Sequence, residues 1–165
     1  MNNIVLCGFM GCGKSSVGKI IADITGRTFI DTDQLTEERE GMTIPQIFAE
    51  RGEIGFRDAE HSACKAVAER EYALISTGGG ALTFERNVKL FENDSIVFID
   101  VDFDEVCRRI GDDDNRPLFK DKNKAKDLFE MRRPLYRQAA HHIVDGIGSA
   151  QEVAERILAL LKKGI

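Results

Sequence analysis

The chain has 165 residues, which is enough for one compact domain and hardly enough for two. Its formal net charge of −5 argues against a nucleic-acid-binding protein, because phosphate backbones attract basic surfaces. The longest apolar runs, Ile96–Ile99 and Leu158–Leu161, are far shorter than the roughly 20 residues that a membrane span requires. We expect no signal peptide. Four cysteines without a C-x-x-C pair, and three histidines without metal-ligand spacing, predict reduced thiols and a cytoplasmic protein.

Short apolar runs rich in β-branched residues alternate with longer segments of helical periodicity. Strands are predicted at Ile4–Gly8, Thr28–Asp31, Ala73–Ser76, Ser95–Val101 and His142–Val144. Helices are predicted at Ser15–Thr25, after the capping-box pattern T-I-P-Q that begins at Thr43, from Asp102 to Ile110, and around Val153, Ile157 and Leu161. This alternation indicates a single α/β domain with a parallel sheet and helices on both faces. Such sheets bind ligands at the carboxyl ends of their strands.

One segment, residues 111–124, breaks the alternation. It reads GDDDNRPLFKDKNK, carries eight charged residues and shows no periodicity. We interpret it as a mobile flap over a ligand site. The alternative is a solvated connection without a function.

The segment GFMGCGKS, Gly8–Ser15, matches the phosphate-binding pattern G-x-x-x-x-G-K-[ST] between a predicted strand and a predicted helix. Its glycines let backbone N–H groups point at phosphate oxygens, and the helix start adds a positive dipole end. Lys14 would reach the β- and γ-phosphates, and the Ser15 hydroxyl would bind Mg²⁺. We expect the Cys12 side chain to point away. The predicted nucleotide-binding residues of this loop are Gly11, Cys12, Gly13, Lys14, Ser15 and Ser16.

The loop predicts a nucleoside triphosphate and leaves the phosphate acceptor open. A GTPase would show D-x-x-G followed by N-K-x-D, whereas here D-G-I-G (Asp145–Gly148) comes after N-K-A-K (Asn123–Lys126). Large ATPases need a longer chain. A small-molecule or nucleotide kinase remains.

Two motifs follow predicted strands and are candidates for the acceptor site. F-I-D-T-D places Asp31 and Asp33 two residues apart, so both can face the ligand crevice, one for magnesium and one for a proton. The alternative is that Asp33 is the N-cap of the next helix. Thr77–Gly80 reads T-G-G-G and allows close backbone approach to a ligand, unless it is an ordinary glycine turn. No acidic residue ends this strand, so Asp31 would have to serve the metal.

Three arginines are further candidates. Arg57 is predicted near the start of a helix, Arg132 in the last turn of one, and Arg116 within the charged segment. A single arginine usually lies on a solvated surface, but phosphoryl transfer uses such cations. The sequence does not show whether they converge.

The ordered motifs resemble those of shikimate kinase. They are G-x-x-G-x-G-K-S, D-T-D, F-R-x-x-E, G-G-G, R-P-L and R-x-P-L-Y, and the match covers nearly the whole chain. The phosphate loop alone is shared by many NTPases, whereas the ordered set is specific. The resemblance implies transfer of the ATP γ-phosphate to the 3-hydroxyl of shikimate in chorismate and aromatic amino-acid biosynthesis. It also implies the fold of nucleoside monophosphate kinases, a three-layer domain with a five-stranded parallel sheet of order 2-3-1-4-5 and a lid.

The resemblance also implies roles for individual residues. The shikimate-binding set would be Asp33, Arg57, Gly78, Gly79, Gly80 and Arg132, with both arginines on the carboxylate and Asp33 as the candidate base. Lys14 and Arg116 would stabilise charge on the moving phosphoryl group. Ser15 would bind Mg²⁺, with Asp31 behind a water. Arg109 would lie against the adenine, together with the loop after Asp145.

The domain would span residues 1–165, with acceptor-binding helices at about 33–62 and the lid at about 111–124. We expect a monomer whose partners are ATP and shikimate. Two features depart from the pattern: the run Asp112–Asp114 before Arg116, and the loop D-G-I-G-S near the adenine.

Two other functions stay open. A kinase for another polyol acid, such as gluconate, is disfavoured by the paired arginines and the G-G-G motif. A catalytically silent nucleotide-binding module would be expected to lack Lys14, Asp33 or Arg116, and all three are present.

Overall fold

The computed structural model describes residues 2–111 and 121–163. Its centre is a five-stranded sheet of order β2-β3-β1-β4-β5. The strands are β1 (Ile4–Cys7), β2 (Thr28–Asp31), β3 (Ala73–Ser76), β4 (Ser95–Asp100) and β5 (His142–Asp145). Every neighbouring pair is parallel. The predicted fold class and strand order are therefore confirmed, and each strand end lies within one residue of its predicted position.

Helices surround the sheet and connect its strands. They are α1 (Lys14–Thr25), α2 (Thr32–Glu40), α3 (Ile44–Ala68), α4 (Glu85–Val88), α5 (Phe103–Ile110), α6 (Lys122–Ala139) and α7 (Ala150–Lys163), with 3₁₀ turns at Ala81–Thr83 and Lys89–Phe91. In the part of the chain that the structure describes, none of these helices combines the length and apolar character that crossing a bilayer needs.

Two predicted helix ends follow the expected chemistry. Helix α1 ends at Gly26, whose φ of 73° is the left-handed conformation that glycine adopts freely. Helix α3 begins with the predicted capping box, in which Gln46 N donates to Thr43 Oγ1 and Thr43 N donates to Gln46 Oε1.

Two local predictions need correction. The pattern from Asp102 to Glu105 resembles a capping box, but Asp102, the N-cap of α5, makes no side-chain capping bond, and its carboxylate lies 3.5 Å from Arg133. Arg132 does not lie in the last turn of α6: the helix continues through Pro134 to Ala139, where buried side chains hold its final turns on the core. By contrast, two helical segments meet inside α3 at the non-helical Gly52, and Arg57 lies about one turn after it, so its predicted position near a helix start is confirmed.

Helix α1 lies close to the sheet because position 18 has no side chain. Val17 and Ile21 on the same helix are fully buried. A β-carbon at Gly18 would come within 2.7 Å of Leu74 Cδ2 and 2.8 Å of Phe29 Cε2. Since α1 follows the phosphate loop directly, this contact also sets the height of that loop above the sheet.

We therefore expect Gly18→Ala to destabilise the protein, although alanine favours helix by about 1 kcal/mol over glycine. Overpacking against β2 and β3 should lower the free energy of unfolding by about 1–3 kcal/mol, measured by urea titration. Asp23→Ala, at an exposed position of the same helix, is the matched control. An unchanged or higher stability of Gly18→Ala would show that α1 can move off the sheet without cost.

Candidate active site

The carboxyl ends of β1, β2 and β3 surround a cavity of about 460 Å³. Parallel strands bring these ends to one edge of the sheet, which is where α/β proteins bind ligands. Most of the predicted site residues line this cavity: Gly11, Gly13, Lys14, Ser15, Ser16, Asp31, Asp33, Gly78, Gly79 and Arg109. Arg57, Gly80 and Arg132 lie beside it, around the glycine turn that follows β3.

The loop between β1 and α1 has the conformation that phosphate binding requires. Gly8, Gly11 and Gly13 all have positive φ angles, of 149°, 80° and 96°. The first turn of α1 begins at Lys14, so its free backbone N–H groups point into the cavity. The Cys12 side chain is buried and does not line the cavity, as expected, and its Sγ lies 3.7 Å from Lys14 Nζ.

The Lys14 ammonium lies inside the curl of this loop. Its Nζ donates to Gly8 O at 2.7 Å and to Phe9 O at 3.3 Å. These carbonyls are weaker partners than phosphate oxygens, so a bound triphosphate would draw the same donor towards itself.

The two carboxylate oxygens of Asp31, at the start of α2, have different neighbours. Its Oδ1 accepts from Asp33 N at 2.9 Å and from Gln34 N at 3.1 Å, which makes Asp31 the N-cap. Its Oδ2 lies 3.5 Å from Ser15 Oγ. The alternative that Asp33 caps this helix is therefore wrong, and Asp33 lines the cavity.

Asp33 is the most perturbed carboxyl group of the site. Burial is the largest cause, and together with the negative charges of Asp31 and Glu60 it raises the pKa of Asp33 from 3.8 to about 6, while Lys14 opposes the shift. A carboxylate with this pKa is ionised at neutral pH but accepts a proton more readily than an ordinary aspartate. That is the property a general base needs.

The three glycines after β3 each face one functional side chain. A β-carbon at Gly78 would overlap the Asp33 carboxylate. At Gly79 it would lie 3.3 Å from Arg132 Nη1, and at Gly80 it would lie 2.5 Å from Arg57 Nη1. The turn therefore lacks side chains because a carboxylate and two guanidinium groups occupy that space, which goes beyond an ordinary glycine turn.

Two residues that support this cluster were absent from the predicted site, although the motifs contain them. Glu60, of F-R-x-x-E, is 1% exposed and accepts from Arg57 Nη1 at 2.9 Å. Burial raises the Glu60 pKa, whereas Arg57 lowers it. Tyr136, of R-x-P-L-Y, is buried and donates to Gly79 O. The sequence gives no signal that would assign Glu60 and Tyr136 to the site, because a single polar or aromatic residue on a helix usually has a structural role.

Arg109 connects the phosphate loop to the loop after β5. It donates to Cys12 O at 3.3 Å and to Gly146 O at 2.7 Å, and its Nε pairs with Glu105 at 3.0 Å. The guanidinium therefore lies beside the cavity, between the two loops predicted to hold the nucleotide.

Adjacent arginines on α6 point to different partners. Arg132 faces Gly79, whereas Arg133 forms a two-point contact with the Asp100 carboxylate at 2.9 and 3.0 Å. Arg137 also reaches Asp100, at 3.1 Å. Arg133 thus attaches α6 to the end of β4 and is not part of the cavity.

Arg116 and the run Asp112–Asp114 lie outside the described residues, as does most of the predicted lid. Of the cations predicted for the site, Lys14, Arg57, Arg109 and Arg132 are described.

Comparison with known proteins gives the same family as the motifs. The family model described as shikimate kinase matches residues 10–162. The chain belongs to the shikimate kinase family. It is therefore a kinase that uses ATP, and the recognition made from the motifs is confirmed. A shikimate kinase from Sulfurihydrogenibium sp. is 41% identical over 99% of both chains.

One solved structure of similar fold is a complex with shikimate. Shikimate kinase from Acinetobacter baumannii in complex with shikimate superposes with a TM-score of 0.92, at 36% identity, covering 99% of this chain and 94% of that one. A gluconokinase from Sinorhizobium meliloti has a TM-score of 0.63 at 22% identity, covering 98% and 92%. The second likeness shows a shared fold alone.

The raised pKa of Asp33 predicts a stability cost. A carboxyl group whose pKa is higher in the folded state than in the unfolded state stabilises the fold only while it is protonated. That contribution is lost as the pH rises through about 6. Asp33→Asn removes the charge and should raise the free energy of unfolding at about pH 7.5 by about 1–3 kcal/mol.

The measurement is urea unfolding of both proteins across the pH range. The difference should be largest above pH 6 and should vanish below about pH 3, where Asp33 is protonated in both the folded and the unfolded state. Asp23→Asn, at an exposed position, should show no such trend. A pH-independent difference would mean that Asp33 has an ordinary pKa.

Proposed function

We propose that this chain transfers the γ-phosphoryl group of ATP to the 3-hydroxyl of shikimate, giving shikimate 3-phosphate for aromatic amino-acid biosynthesis. The observation that supports this most strongly is the glycine turn, where one carboxylate and two guanidinium groups meet beside a phosphate loop. Shikimate carries one carboxylate and three ring hydroxyls. The cluster offers a complementary partner for each kind of group.

Arg57 and Arg132 would hold the acceptor's carboxylate. They approach neighbouring glycines, Gly80 and Gly79, so their guanidinium groups can face one ligand group. Planar guanidinium groups bind carboxylates through paired, charge-assisted hydrogen bonds. The buried Glu60 keeps Arg57 in this position and does not itself need to touch the acceptor.

Asp33 would bind the ring hydroxyls and accept the proton of the one that attacks. It lies next to Gly78, on the opposite end of the same turn from Arg57. Its raised pKa suits proton acceptance near neutral pH. Since phosphoryl transfer proceeds through a loose transition state, positioning of the hydroxyl is expected to contribute as much as proton removal.

The nucleotide would occupy the other half of the cavity. The loop amides of Gly11, Cys12, Gly13, Ser15 and Ser16 would bind the phosphates. Lys14 would stabilise charge on the moving phosphoryl group, as would Arg116 from the segment beyond the described residues. Arg109 would lie against the base, next to Gly146.

The residues near Ser15 suit a magnesium ion. Ser15 Oγ and Asp31 Oδ2 are hard oxygen donors 3.5 Å apart, and the capping bonds of Asp31 use only its other oxygen. Mg²⁺ is usually held by one or two protein oxygens together with water and substrate phosphates. When bound, the ion would neutralise phosphate charge. Ser15 would ligate it directly, and Asp31 would orient a water on it.

We propose further that the enzyme works as a monomer in the cytoplasm, with ATP and shikimate as its small ligands and without nucleic-acid or membrane partners. All four cysteines are free thiols, which is consistent with a reducing compartment. Asp33 on α2 and Arg57 on α3 support helices 33–62 as the acceptor-binding part. The lid would be residues 111–124.

The test is an ADP-release assay with shikimate, quinate, gluconate and nucleoside monophosphates as acceptors. Shikimate should give the highest kcat/KM. Lys14→Ala, correctly folded, should show no turnover, because it lacks the cation on the β- and γ-phosphates. Preferential turnover of gluconate would favour the other polyol-acid kinase, and ATP binding without turnover of any acceptor would favour a silent module.

Arg132→Ala should weaken shikimate binding. The carboxylate of shikimate keeps its charge throughout the reaction. Loss of the Arg132 guanidinium should therefore weaken binding of the ground state and the transition state equally. We expect KM for shikimate to rise roughly ten- to a hundredfold, with KM for ATP spared. Steady-state kinetics with each substrate varied measures this.

Arg133→Ala is the matched control one position along the helix. It should leave KM for shikimate within about twofold while lowering thermal stability, because Asp100 loses its two-point partner. If Arg133→Ala raised KM for shikimate as much as Arg132→Ala, the assignment of Arg132 to the carboxylate would lose its support.

A further inference from the structure

A hydrogen bond joins α3 to the segment that follows the glycine turn. His61 Nδ1 and Asn87 Oδ1 are 2.6 Å apart. His61 is partly buried on α3, and Asn87 is 1% exposed on α4. Neither residue touches the cavity, and the histidines were considered in the sequence only as possible metal ligands.

The second bond of Asn87 settles which atom donates. Asn87 Nδ2 donates to Ala81 O at 2.8 Å, so the amide oxygen must be the group that faces His61. An amide oxygen only accepts, and His61 Nδ1 must therefore carry the hydrogen. Both ends of a buried amide are satisfied in this way, which fixes the orientation of Asn87.

The bond connects the two halves of the acceptor cluster. Glu60 lies three residues after Arg57 and His61 lies four residues after it, so both are on the same side of α3 as Arg57. Ala81, the other partner of Asn87, directly follows Gly80. The path His61–Asn87–Ala81 thus joins the helix that carries Arg57 to the turn that Arg57 approaches.

We infer that His61 and Asn87 are positioning residues for the acceptor, because they set the distance between the Arg57 guanidinium and the turn Gly78–Gly80. This inference rests on the proposed function, since that turn is the proposed acceptor site. The path should affect the binding of shikimate and not that of ATP. It connects α3 to the glycine turn, and among the described residues it has no contact with the phosphate loop.

An exposed ion pair joins the same two segments and provides a control. Arg86 Nη2 lies 3.1 Å from Asp58 Oδ1, with the side chains 44% and 65% exposed. Exposed pairs contribute little to stability, because water and salt screen them. The His61–Asn87 bond is more buried and should hold the turn more firmly.

The experiment compares His61→Ala, His61→Asn and Arg86→Ala in the shikimate-dependent assay. His61→Ala should raise KM for shikimate about three- to tenfold, with kcat and KM for ATP within about twofold of wild type. His61→Asn should restore wild-type values, because its amide nitrogen replaces Nδ1. Arg86→Ala should change neither KM. In an Arg57→Ala background, the added effect of His61→Ala on KM should be smaller.

Hydrogen exchange of the ligand-free protein tests the path without any substrate. The N–H groups of Ala81 and Thr83 should exchange faster in His61→Ala than in wild type or His61→Asn. If His61→Ala does not fold, His61→Gln takes its place, because it fills similar volume without matching Nδ1.

Faster exchange or lower thermal stability with an unchanged KM for shikimate would overturn the positioning role, as would a His61→Asn variant as impaired as His61→Ala. A wild-type protein inactive on shikimate would instead overturn the proposed function. The exchange result would then decide separately whether the path orders the turn.

Discussion

The site depends on the absence of side chains at Gly78–Gly80. Three charged groups approach this turn from α2, α3 and α6, each next to a different glycine. A single β-carbon there would displace Asp33, Arg132 or Arg57. The position of this glycine turn depends on the parallel sheet. Because β3 lies beside β1, the glycines that follow β3 lie next to the phosphate loop that follows β1.

Packing like charges and opposite charges into so small a space has an electrostatic cost. Asp33, Asp31 and Glu60 repel one another, and burial opposes the ionised form of Asp33 and Glu60. Arg57 compensates Glu60, but no cation in the described residues neutralises Asp33 to the same degree, and its pKa rises. Asp33 is also the group that the proposed reaction needs as a base. A raised pKa at that position makes the carboxylate a better proton acceptor.

The arginines show how one residue type takes several roles. Arg57 and Arg132 reach the glycine turn, Arg109 joins two loops, and Arg133 attaches a helix to a strand. Successive residues on a helix point about 100° apart, so neighbours such as Arg132 and Arg133 cannot face the same ligand. The net charge of the chain does not reveal these roles, since a total of −5 coexists with two arginines that converge on one glycine turn.

The sequence by itself determined the fold class, every strand to within one residue, the phosphate loop and the family, because these depend on local periodicity and ordered motifs. It left open whether Asp33 faces the ligand crevice or caps the next helix, and it could not place Arg132 within its helix. Nor could it show that Glu60 pairs with Arg57, that Tyr136 donates to Gly79 O, or that His61 bonds to Asn87. Those properties arise from contacts between segments distant in the chain, whose distances and burial exist only once the sheet brings the segments together.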